Sequence, residues 1–141
     1  MVMSSIKDTA AQFFDACETG KGWDACQQYC HPDATFAAQA DTFAEIETLE
    51  GYTEAMKGLI AGPIPDASYD LKSLALDEER GNVIGFAVFK GTHSGEGGPL
   101  PASGKAVDTD YVYVMEFDGE RIRHMTKIWN DVWAMRQLGW G

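Results

Sequence analysis

Apolar residues recur with helical spacing near the start of the chain. Ile6, Ala10, Phe13, Phe14 and Cys17 share one face of a helix that Ser4 or Ser5 can cap and that Gly20 and Gly22 end. A second, shorter helix is predicted over residues 23–29, stopped by His31-Pro32-Asp33 because proline disfavours helix in the residue before it. Residues 34–37 form a short strand candidate, and residues 39–50 are mixed and acidic with no readable period. Residues 51–60 read as a third helix, closed by Gly62-Pro63-Ile64-Pro65. After Pro65 the pattern becomes extended. A run holding Tyr69, Leu71, Leu74 and Leu76 ends in a turn over residues 77–82, and a strongly apolar strand follows over residues 83–92. Residues 91–104, rich in Gly and Pro, read as a rim loop or lid.

The longest strand candidate covers residues 105–117. Val107, Thr109, Tyr111, Tyr113 and Met115 lie on one face, with Asp108, Asp110, Val112 and Val114 on the other. Asp118-Gly119 turns the chain into a returning strand over residues 122–129, and residues 130–139 suit a short closing helix. Helices followed by long antiparallel strands, with no repeat and no linker, predict a single α+β domain over residues 1–141.

The 141 residues carry a formal charge of −11, which disfavours nucleic acid and anionic lipid as partners. That charge gathers in residues 41–54 and 77–79 and leaves strands such as residues 83–89 nearly uncharged. It therefore reads as a solvating shell around an apolar interior, suited to an uncharged or cationic ligand. Residues 1–9 lack the apolar run of a signal peptide, and no stretch has the length of a membrane span. Cys17, Cys26 and Cys30 are too few for a disulfide framework. The expectation is a cytoplasmic protein with reduced thiols.

The segment Gly91-Thr92-His93-Ser94-Gly95 leads to Pro101-Ala102-Ser103-Gly104-Lys105 and a long strand. Phe117-Asp118-Gly119 with Ile122 follows, and then Met135-Arg136-Gln137-Leu138-Gly139. This order resembles the SnoaL-like polyketide cyclase family of the nuclear transport factor 2-like (NTF2-like) superfamily. Pro32-Asp33-Ala34 and the first helices fit the same superfamily. The resemblance implies a cone-shaped α+β barrel, three N-terminal helices on a curved antiparallel sheet around an apolar pocket, and a homodimer. It also implies an Asp at the end of the last strand as general acid/base. Counting back from Arg136-Gln137-Leu138-Gly139, that position falls on Asn130, with Asp131 immediately after.

Asp131 and Asn130 are thus the first catalytic candidates, and both are also preferred helix caps. His93 and His124 can shuttle protons near neutral pH, and each also suits a hydrogen-bonded structural role. His31 can approach the pocket mouth. Tyr111 and Tyr113 can donate to an enolate or pack in the sheet, and Trp129 and Phe36 suit an apolar ligand wall. Cys26, Cys30 and His31 lack a partner set for zinc, so no metal and no cofactor are expected. Two readings follow for a small apolar molecule as partner. One is a cofactor-independent cyclase or isomerase that moves a proton α to a carbonyl. The other is a module that binds the molecule without turning it over.

Overall fold

A computed structural model describes residues 2–140. Helix α1 (Val2–Glu18) reaches back past Ser4 and Ser5, which lie inside it instead of capping it. Helix α2 (Trp23–Cys26) tightens into a 3-10 turn, Gln27–Tyr29, and gives way at once to strand β1 (Cys30–Gln39). That strand is longer than the apolar pattern of residues 34–37 suggested. A 3-10 turn at Asp41–Phe43 and helix α3 (Leu49–Ala61) follow. Four more elements complete the sheet: β2 (Ser68–Asp77), β3 (Asn82–Thr92), β4 (Ala106–Asp118) and β5 (Arg121–Trp129). Helix α4 (Asp131–Leu138) closes the chain.

The five strands are ordered β1-β5-β4-β3-β2. The three hairpin-connected ladders are antiparallel, as their turns demand, whereas β1 joins β5 in parallel. Turn signals cannot announce that last pairing, because the two strands are far apart in sequence. The curved sheet follows the expected α+β, NTF2-like plan. Alternation decides its faces: Val107, Tyr111, Tyr113 and Met115 are buried under the helices, while Asp108 and Asp110 are exposed on the far side. Helix α1 lays Ile6, Ala10, Phe13, Phe14 and Cys17 against the inner face, in the spacing read from the chain. Helix α3 starts where the Thr48 side chain accepts from Gly51 N at 3.1 Å, and it buries Leu49, Tyr52, Thr53 and Met56. Among the described residues no helix is long and apolar enough to cross a membrane.

Gly139 ends α4 with φ of 75°, a left-handed conformation that glycine adopts without steric cost. The turn lets Trp140 N reach Met135 O at 2.8 Å and swings the Trp140 ring back against the segment that follows β3, where Nε1 donates to His93 Nδ1 at 2.9 Å. The loop between β3 and β4 is fastened as well. Gly95 N donates to Pro63 O at 3.0 Å, and a Cβ on Gly95 would stand 1.9 Å from Gly62 O. Gly95→Ala is therefore expected to force the loop off residues 62–63 and cost about 1–3 kcal/mol, read as a lowered midpoint in urea unfolding. An unchanged midpoint would show that the loop is not held there.

Candidate functional site

Between the helices and the open end of the sheet lies a cavity of about 240 Å³. Its walls are mostly apolar, with Met56 and Leu59 from α3, Phe89 and Val107 from the sheet, and Met135 and Trp140 from the C-terminal segment. Gly97, Gly98 and Pro99, from the loop between β3 and β4, also line it. Four polar side chains border this space: Glu18, Thr42, Tyr111 and Lys127.

Glu18, Tyr111 and Lys127 are each placed by a simple periodicity. Glu18 continues the i, i+4 row of Ala10 and Phe14 on α1, so the last turn of the helix carries a carboxylate into the core. Tyr111 and Tyr113 share the inward face of β4, and Lys127 sits between Met125 and Trp129 on the inward face of β5. Glu18 is 1% exposed and Lys127 5%. Buried ionic groups are costly without hydrogen bonds, and these two are joined by a chain of them. Lys127 Nζ donates to Tyr52 Oη at 2.9 Å, Tyr52 pairs with Tyr113 through their hydroxyls, and Tyr113 Oη donates to Glu18 Oε2 at 2.7 Å. Each phenol has one proton, and Tyr113 gives its own to Glu18, so Tyr52 must be the donor to Tyr113. The donors thus all run in one direction, from the amine to the carboxylate. The Tyr111 hydroxyl donates to the other oxygen, Glu18 Oε1.

The surroundings of Lys127 are aromatic. Its Nζ lies 4.3 Å from the centre of the Trp129 ring and 4.9 Å from that of Phe43, in range for cation–π attraction. Burial pulls its pKa down to about 8, against the opposing pull of Glu18, Cys17 and Asp131. Burial pushes the Glu18 carboxyl up, while Lys127 and the tyrosine hydrogen bonds oppose the rise. The same burial, with Glu18 next, drives the tyrosine hydroxyls up and keeps them protonated. The affinities of the acid and the amine for a proton are thereby brought closer together, so a proton can be exchanged between them at a lower cost than in water.

The residues singled out from the sequence divide into three groups. Tyr111 and Trp129 line the cavity. Tyr113 and Phe36 lie one layer behind it: Tyr113 in the hydrogen-bonded chain, Phe36 stacked on Tyr52 with ring centres 4.3 Å apart. The remaining candidates are engaged elsewhere. Asn130 caps α4, its side-chain oxygen accepting from Trp133 N at 3.1 Å. Asp131 Oδ2 accepts from Thr42 N at 2.9 Å and from Thr42 Oγ1 at 2.7 Å, tying the Asp41–Phe43 turn to α4. Burial alone would raise the Asp131 carboxyl, but the Thr42 bonds outweigh it and hold it below the usual carboxylate range. His93 is fully buried beneath Trp140; its Nδ1 accepts from Trp140, and its Nε2 has no partner among the described residues. His124 lies on the outer side of the sheet, with Nδ1 2.7 Å from Thr35 Oγ1 and Nε2 3.1 Å from Thr126 Oγ1. His31 is on β1 rather than a helix and meets Asp118 O at 2.9 Å, at the β4–β5 turn.

The Thr42 bonds give a measurable pH effect. A carboxyl held low contributes stability above its unfolded pKa near 3.9 and loses it as pH falls through the folded value. Thr42→Val is expected to cost about 1.5–3 kcal/mol at neutral pH. The gap from wild type should close in unfolding curves taken below about pH 4. A gap that stays constant with pH would contradict this account.

Glu18, Lys127, Tyr52 and Phe43 were not read as functional from the sequence, although two of them left a signal. Glu18 extends an otherwise apolar helical row, and Lys127 interrupts the inward alternation of β5. Tyr52 and Phe43 reach the site only through the tertiary fold.

Solved structures with this fold are numerous. A protein from Jannaschia sp. CCS1, assigned as a SnoaL-like polyketide cyclase, superposes with a TM-score of 0.80 at 17% identity, over 97% of this chain and 93% of that one. One from Acidithiobacillus ferrooxidans, assigned as a polyketide cyclase, gives 0.77 at 25% identity, over 99% and 97%. A protein from Catenulispora acidiphila with a ketosteroid isomerase-like fold, solved with trimethylamine, gives 0.70 at 16% identity, over 95% and 94%. No curated protein sequence matches the chain. The family model described as SnoaL-like polyketide cyclase matches residues 8–138, nearly the whole length, and the chain belongs to that family.

Proposed function

We propose that the cavity receives a small, largely apolar carbonyl compound and that Glu18 and Lys127 move a proton at the carbon next to its carbonyl. The reaction is of the cyclase or isomerase type and uses only protein groups. The observation that carries this reading is a carboxylate and an amine buried in one apolar cavity and joined through two tyrosines. Lys127 spends one N–H on Tyr52, which leaves donors for a carbonyl oxygen in a medium where charge stabilises an enolate strongly. Glu18 has lone pairs beyond those used by Tyr111 and Tyr113, and its raised proton affinity suits a general base. The cavity of about 240 Å³ lies below the roughly 300–1,000 Å³ of pockets for drug-sized ligands, which favours a compact substrate.

The test is deuterium uptake at the α carbons of benzylacetone in D₂O, followed by mass spectrometry. Uptake above the buffer rate is the expected result. It should fall as pH rises through about 8, where Lys127 loses its proton, and fall on the acid side as Glu18 gains one. Cys17, Tyr52, Tyr111 and Tyr113 also face this pair, and burial keeps all four in their neutral forms over that range. Binding of the ketone with no exchange would instead support the non-catalytic module.

The same reading takes the protein as a homodimer. The outer sheet face presents Ile84, Phe86 and Ile128 at 40%, 37% and 49% exposure, an apolar patch suited to a second copy. Phe86→Glu is expected to turn a dimer into a monomer in light scattering. A wild-type chain that runs as a monomer would remove this part of the proposal.

A further inference from the structure

Lys127 has chemistry that proton transfer alone does not use. The ion pairs among the described residues engage Arg80, Lys90, Arg123 and His31 and leave Lys127 out, so no carboxylate lies against its nitrogen. What lies against it is the Tyr52 hydroxyl and a set of aromatic rings. An amine so placed is held in a cavity, shielded from water, with a one-way line of donors leading from it to a carboxylate.

We infer that Lys127 is a covalent site, whose Nζ condenses with the carbonyl carbon of the bound compound to give a protonated imine while Glu18 takes up and returns the proton. This rests on the reading that the cavity receives a carbonyl compound. The steps balance. A shift of one proton along Lys127, Tyr52, Tyr113 and Glu18 turns the ammonium into a free amine and the carboxylate into an acid; each tyrosine gives one proton and receives one. The amine nitrogen adds to the carbonyl carbon, and a proton passes from nitrogen to the former carbonyl oxygen. The acid form of Glu18 then protonates that hydroxyl, which leaves as water and forms the carbon–nitrogen double bond. The products are a cationic imine, one water and the Glu18 carboxylate, which is again free to take the α proton.

Two features of the site suit this sequence. The cation that starts on nitrogen ends on nitrogen, so the rings of Trp129 and Phe43 stabilise both reactant and product. A lysine desolvated in an apolar pocket has a larger neutral fraction than one in water, and the low proton affinity of Lys127 agrees with this.

The experiment is reductive trapping. The full chain is incubated with benzylacetone and sodium cyanoborohydride at pH 8, and the modified positions are mapped by peptide mass spectrometry. The expected result is labelling at Lys127 at least ten times that at any of the exposed lysines Lys7, Lys21, Lys57, Lys72, Lys90 and Lys105. No label, or label spread evenly over the surface lysines, would overturn the inference. A second measurement separates it from the proton-transfer reading. Lys127→Arg keeps a cation that donates hydrogen bonds but cannot form this imine, so deuterium uptake should fall about a hundredfold or more. Uptake retained in the folded Arg variant overturns the covalent role and leaves proton transfer standing. Trapping at Lys127 without any deuterium uptake supports the covalent site and removes the proposed turnover.

Discussion

Glu18→Ala is expected to destabilise the protein by about 3–5 kcal/mol, because it removes the buried carboxylate on which two tyrosine hydroxyls and, through them, Lys127 depend. Three groups would be stranded at once. The Tyr111 and Tyr113 hydroxyls would lose their acceptor inside the core, and unsatisfied buried donors cost about 1–3 kcal/mol each. Lys127 would lose the carboxylate whose charge opposes its desolvation, and it would meet that loss by giving up its proton. The missing side chain also leaves a void at the end of α1, where Glu18 is 1% exposed. Glu18→Gln keeps the shape and one acceptor, so it should recover more than half of the loss. Urea unfolding followed by tryptophan fluorescence reads both variants. An Ala variant within 1 kcal/mol of wild type would mean that the hydrogen-bonded chain contributes little to the fold.

Lys127→Met has the largest expected effect on chemistry: a loss of about 10²–10⁴-fold in deuterium uptake, the usual contribution of a positioned acid or base. Methionine fills similar space among Phe43, Trp129 and Tyr111 and carries no charge. Tyr52 Oη loses one donor, which limits the structural cost to about 1–3 kcal/mol. Glu18 no longer faces a cation and takes up a proton more readily, so no unpaired charge is left behind. Loss of exchange with the fold intact is therefore the expected pair of results. Full exchange in this variant would exclude Lys127 from the reaction and shift attention to Glu18 with Tyr111 alone.

Both substitutions concern residues that the chain's patterning marks only faintly. The apolar row from Ile6 to Cys17 and the alternation from Val107 to Met115 stand out because a helix and a strand each repeat with a fixed short period. Those periods are set by the local backbone and survive without knowledge of any neighbour. Asn130 and Asp131 stand out for a similar reason, since caps are local chemistry, and capping and turn-tying are the roles in which their bonds hold them. Glu18 and Lys127 look like ordinary surface charges until their positions are set against those same periods. Even then, periodicity says only that each points inward.

The sequence by itself thus determined an α+β chain with three leading helices, a sheet built from hairpins, an inward face on β4 that carries Tyr111 and Tyr113, and membership of a family with this fold. These follow from local periods, turn chemistry and the order of motifs. The tertiary structure alone decided the rest. It paired β1 with β5 in parallel, brought the unpatterned Asp41–Phe43 turn against the cavity, and joined an α1 carboxylate to a β5 amine through tyrosines of α3 and β4. The physical reason is distance along the chain. Such contacts arise from the burial of whole faces against one another, and no short window of residues carries that information.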